Sequence, residues 1–218
     1  MVLIAVHGSA SRLLPAERGT VRLALELEDA DRAVVLGGVG AMHARFAAEA
    51  EALVAAGAAT WWGSQQARIR SEHRYEGRDE LPRVVQIANA EVVTRFRDFE
   101  SLSAWVLEAG AEPGVRVDAI EWAVTDEHRV ATERELRVQA VQDAIARAEA
   151  YASAIGGERV RLRSLWEAGL RADTGGGEPR WVAQAMDASM ARSGIELRPD
   201  DIALSASVTA DFELEPPS

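Results

Sequence analysis

Asp126-Glu127-His128 is the first place to look for chemistry in this chain, because a carboxylate beside an imidazole can form a general acid–base pair or part of a metal site. A hydrolase or lyase using His128 with Asp126 or Glu127 is therefore one hypothesis. Sequence neighbours in a turn point apart, however. An acidic residue at the start of a helix also accepts from free N–H groups and meets the positive end of the helix dipole. Capping by Asp126 is the stronger reading. The four histidines, His7, His43, His73 and His128, show neither H-x-H nor H-x-x-x-H spacing, so no metal site is expected. Ser9 and Ser11 follow Gly8 without the G-x-S-x-G elbow of a serine hydrolase. Gly37-Gly38-Val39-Gly40 lacks the Lys-Ser/Thr of a phosphate loop and the full dinucleotide pattern, and reads as a turn. No catalytic residue, metal ligand or cofactor is assigned on these grounds.

The composition narrows the classes further. A chain of 218 residues, 48% hydrophobic and 27% charged, can bury a core as one domain or as two closely fused ones, with a division near 1–97 and 98–214 and a tail at 215–218. A formal charge of −11 argues against general nucleic-acid binding. Local basic clusters exist at Arg68, Arg70 and Arg74, and at Arg159, Arg161 and Arg163; the latter alternate along a strand and suit a solvated sheet face. With no cysteine, disulfides, thiol nucleophiles and thiolate metal sites are excluded. The opening Met1-Val2-Leu3-Ile4-Ala5-Val6-His7-Gly8 lacks a basic n-region and reads as a strand, not an export signal. No stretch approaches the ~20 apolar residues of a membrane span. The expected location is the cytoplasm.

Hydrophobic periodicity places the elements around these residues. Val21, Leu23, Leu25 and Leu27 alternate with Arg22, Glu26 and Glu28 in a half-buried strand over Thr20–Glu28. A helix after the glycines, with Met42, Phe46, Leu53 and Val54 as its stripe, ends at Gly57. Strands are expected over Ser64–Ser71 and Arg83–Arg97, around a polar turn with Gly77, Asp79 and Pro82. A helix from Phe99 to Ala109 follows. The next strand, Val115 to Val124, slips one position between Val117 and Ile120, which signals a bulge. The long helix runs over Thr132–Ile155. Leu136 or Arg137 opens its stripe, which continues through Val141, Ala144, Ile145, Ala148, Ala152 and Ile155. Glu133 with Arg137, and Asp143 with Arg147, are i,i+4 pairs. After a strand at Arg159–Trp166 and a Gly-rich stretch at 175–177, a short helix is expected over Trp181–Arg192. Ile202, Leu204, Ala206, Val208, Ala210, Phe212 and Leu214 keep strict period two in a long closing strand that returns to pair with earlier ones. The order β-β-α-β-β-α-β-α-β-β, with short turns, predicts an α+β fold of mainly antiparallel sheets against the Ala-rich helix and two or three shorter ones.

At this level the chain resembles the SIMPL-domain family (DUF541), bacterial proteins linked to oxidative-stress defence or described as periplasmic immunogenic proteins. The resemblance rests on five segments. They are the opening strand with Gly8 and Pro15; Leu53-Val54-Ala55-Ala56-Gly57 with Arg68-Ile69-Arg70; Leu107-Glu108-Ala109-Gly110-Ala111 with Val117 to Asp126; Ala140 to Ala148 running on to Gly156; and Val208 to Leu214. It covers nearly the whole chain. It implies an α+β fold, homo-oligomers and an association with stress tolerance, and it supplies no catalytic residues. Family members commonly carry an export signal, and the opening residues here are not expected to be one.

Six tryptophans against two tyrosines is an unusual balance, and an exposed one can anchor a protein interface or stack on a ligand. Trp61-Trp62 lies between a helix and a strand; an extended segment would turn at least one ring outward, but the stronger reading is that both cover the end of the core. Trp181 with Met186 and Met190 forms a second apolar patch suited to an oligomer contact. The leading expectation is a non-enzymatic homo-oligomeric scaffold or binding protein with a stress-related role. The alternative is a small-molecule binder with a pocket between the sheet and the Ala-rich helix.

Overall fold

A computed structural model describes residues 2–74, 82–167, 170 and 199–215, with backbone alone at 65–67. In chain order its elements are β1 (Leu3–Leu14), β2 (Arg18–Asp29), α1 (Arg32–Ala55), β3 (Ala59–Arg74), β4 (Arg83–Phe96), α2 (Phe99–Gly110), β5 (Val115–Ala123), α3 (Asp126–Ala154), β6 (Val160–Glu167) and β7 (Ile202–Leu214). The fold is α+β, with every strand pairing antiparallel. The expected short helix over Trp181–Arg192 and the Gly-rich stretch before it lie outside the described residues, as do Gly77 and Asp79. The described residues fall into two compact units. An inserted unit holds those of 16–123 and 184–200; a flanking unit holds those of 1–15, 124–183 and 201–218.

The inserted unit has sheet order β3-β4-β2-β5. Each of its helices carries the chain past one intervening strand, the split βαβ arrangement repeated twice. Alternation on β2 sends Val21, Leu23 and Leu25 to one face, where they meet Val39 and Phe46 of α1 and Leu102 and Trp105 of α2 in one core. Complete burial of each of these leucines contributes about 1.5–3 kcal/mol. Trp105 packs edge-on to Phe46, with ring centroids 6.2 Å apart, and donates its indole N–H to Glu49 at 3.0 Å.

The glycines at 37, 38 and 40 do not form the expected turn. They lie inside α1, which starts five residues before the first of them behind Asp31, whose carboxylate accepts the Ala33 N–H at 2.8 Å. At Gly38 an added Cβ would stand 2.5 Å from Leu27 Cδ1, so this glycine lets the helix settle on β2. Gly57, with φ +77°, ends α1 as anticipated. β3 begins earlier than its alternation suggested and takes in both Trp61 and Trp62. Trp61 is 49% exposed, whereas Trp62 packs against the core. The slip on β5 is real: Arg22 pairs with Ala119 and Leu23 with Val117, leaving Asp118 bulged.

In the flanking unit β7 is the central strand of the order β1-β7-β6, so the long closing strand is interior and not an edge. Its period-two residues Val208, Ala210 and Phe212 are buried together with Ile4 and Val6 of β1 and with α3. The buried stripe of α3 recurs every four residues, at Thr132, Leu136, Ala140, Ala144, Ala148 and Ala152. Ile145 and Ile155, expected on that stripe, are exposed instead. The i±4 ridge is the one that meets the sheet, and its alanines let backbone approach backbone. A Cβ on Gly8 would lie only 2.2 Å from the Ala140 carbonyl oxygen. At this crossing the Ala-rich helix and its sheet leave no room for the pocket expected between them.

Candidate functional site

The structure places Asp126, Glu127 and His128 in the first turn of α3, where successive side chains diverge by about 100°. The cap is Thr125, whose side-chain oxygen accepts the His128 N–H at 3.4 Å, and not Asp126 as anticipated. Asp126 is 91% exposed at its side chain and pairs with Arg129 at 3.2 Å. Arg129 also holds Glu133 at 2.9 Å, and these two acids, Glu133 foremost, raise its already high pKa. This turn is a surface charge network at the positive end of a helix.

The other residues singled out by type are dispersed. His7 and His128 belong to the flanking unit, His43 and His73 to the inserted one. Among the described residues no three histidines or carboxylates are grouped to hold a metal ion. Ser9 and Ser11 lie on β1, and the Ser9 N–H is bound by Asp143. Arg161 and Arg163 are exposed on β6, where Arg163 pairs with Glu213 at 3.2 Å. Trp181, Met186 and Met190 lie outside the described residues. Among the described residues no helix is long and apolar enough to cross a membrane.

What sequence reasoning missed is a charged sheet face in the inserted unit, turned away from α1 and α2. All four strands supply its ion pairs. Arg22 of β2 binds Glu91 of β4; Arg70 of β3 reaches Glu72 at 2.7 Å and Glu26 at 3.7 Å; Arg116 of β5 binds the bulged Asp118 at 2.5 Å. The hydrogen bond to Glu72 holds the Arg70 guanidinium above its ordinary pKa, and that to Asp118 does the same for Arg116. Within this face lies an open cleft of about 430 Å3, with the short side chain of Ala24 on its floor and Arg68, Asn89 and Arg116 in its walls. Arg68 and Asn89 are directly opposed across β3 and β4. The signal that could have found the face was the period-two run Arg68, Arg70, Glu72, Arg74, which puts four charges on one side of one strand.

The sequence matches the family SIMPL, described as a protein of unknown function (DUF541), over residues 4–212. No curated protein matches it.

Proposed function

The chain belongs to the SIMPL family, and on that premise we propose that it is a non-enzymatic binding scaffold that works as a homo-oligomer. One observation carries this reading. Leu162 and Leu165 on β6 are opposed to Phe212 and Ala210 of β7, so they share the sheet face that α3 covers, yet they remain 46% and 45% exposed. β6 is also a terminal strand of its sheet, with one edge unpaired among the described residues. An unpaired edge beside exposed aliphatic side chains is a surface that a second copy can cover, by strand pairing, apolar contact or both.

Light scattering on the full chain tests it. The expected mass is two or more times 23.5 kDa, falling to one chain in a Leu162→Asp, Leu165→Asp variant that keeps its circular dichroism. A single-chain mass at every concentration sinks the proposal. A stress-related role in the cytoplasm completes the reading. It is checked by fractionation and by survival of a deletion strain under peroxide, where unchanged survival counts against it.

A further inference from the structure

From the cleft on the charged sheet face we infer a binding site for a small monocarboxylate, held by the Arg68 guanidinium with Asn89 beside it. It is independent of the oligomer and rests on which charged side chains of the inserted unit are directly paired. The cleft walls bring two arginines, Arg68 and Arg116, and three acids, Glu26, Glu91 and Asp118. Each of these acids faces an arginine: Arg70 for Glu26 at 3.7 Å, shared with Glu72 at 2.7 Å, Arg22 for Glu91, and Arg116 for Asp118. Among the described residues Arg68 forms no ion pair with a carboxylate, and the Asn89 side-chain amide forms no hydrogen bond, although its backbone belongs to the β4 ladder. The site therefore presents one guanidinium that makes no direct ion pair among the described residues, opposed to one neutral amide.

A guanidinium offers two parallel N–H groups that match a carboxylate, and the Asn89 amide can add a third donor. Glu26 and Glu91 line the same cleft, so each added negative charge on a ligand raises the repulsion and a monoanion is favoured over a phosphate dianion. The small Ala24 between longer neighbours leaves room for the body of the ligand. Both strands that frame the cleft are irregular beside it. β3 shifts register between Gln65 and Arg68, and β5 between Val117 and Ala119. Such bulges re-aim side chains at sites.

The test is a titration of the full-length chain with benzoate, followed by amide and Arg Nε–H chemical shifts, with inorganic phosphate and butylammonium as comparison probes. Benzoate is expected to saturate shifts at Ala24, Asn89 and Arg116. Arg68→Ala, checked as folded by circular dichroism, is expected to weaken binding by roughly tenfold or more. Arg68→Lys keeps the charge but not the two-pronged donor, and is expected to fall between the two. Arg134→Ala on α3 is expected to leave binding unchanged. Equal affinity in Arg68→Ala, shifts confined to other surfaces, or phosphate binding as tightly as benzoate would each overturn the assignment.

Discussion

The Asp143 carboxylate accepts the backbone N–H of Ser9 at 2.9 Å and so ties the middle of α3 to β1. The same oxygen takes the Arg147 Nε–H, also at 2.9 Å. Asp143 adjoins the buried Ala144, and Ser9 adjoins Gly8, so the ion stands where helix and strand come closest. The Ser9 N–H foremost, then Arg147, hold this carboxyl below its ordinary pKa. A lowered folded-state pKa gives stability that is complete above the unfolded value of about 3.9 and is lost as pH falls through the folded one. Asp143→Asn should therefore melt below wild type at neutral pH, and the gap should close as the solution is taken below about pH 4. Thermal melts across that range decide it. A gap that stays constant with pH would show that the charge is not what the contact uses.

Gly8 gives a second prediction from the same contact. A Cβ there would meet the Ala140 oxygen at 2.2 Å and the Ala144 nitrogen at 2.6 Å, both main-chain atoms that cannot swing aside. Helix and strand must separate to admit it. Gly8→Ala should cost about 1–3 kcal/mol, the usual range for overpacking a core. It would be read as a lower urea midpoint with unchanged slope. An unshifted midpoint would mean that α3 does not pack this closely.

Much of the fold was legible, and the failures have physical causes. Period two on β7 was unambiguous because Leu204, Val208, Ala210 and Phe212 of one face are buried. That β7 is central was not legible, since it depends on pairing with Leu3–Leu14 at the far end of the chain. The glycines of α1 misled because low helix propensity is only a weak prior, and a valine stripe at Val35 and Val39 overrode it. Ile145 and Ile155 were placed inward by counting both three- and four-residue steps, where the sheet selects only the four-residue ridge. The cleft was hidden for a different reason. Arg68, Asn89 and Arg116 come from three strands and meet only through the pairings of β4 with β3 and of β2 with β4 and β5.

Those helix glycines make a third prediction. At Gly37 and Gly40 an added Cβ meets nothing within 4 Å. Replacing glycine by alanine in a helix interior stabilises by about 0.5–1 kcal/mol, mainly by removing freedom from the unfolded chain. Gly37→Ala and Gly40→Ala should each raise the melting temperature. Gly38→Ala should gain less or lose, because its Cβ would press on Leu27 at 2.5 Å. If all three variants behaved alike, the seating of α1 on β2 would be wrong.

Thr94 carries the last. It is fully buried on β4, opposed to Val21 and Trp62 on the core side of the sheet, and its hydroxyl has no hydrogen-bond partner among the described residues. A buried polar group left unpaired costs about 1–3 kcal/mol. Valine has nearly the same shape and β-branch, and it replaces the hydroxyl by a methyl group that the surrounding core accommodates without desolvating anything. Thr94→Val should therefore stabilise the protein by about 1 kcal/mol. Serine at the same position keeps the hydroxyl and loses the methyl, so Thr94→Ser should destabilise. Chemical denaturation of the two variants separates the contributions. A Thr94→Val protein less stable than wild type would mean that the hydroxyl is satisfied in solution, and the unmet-donor account of this position would fail.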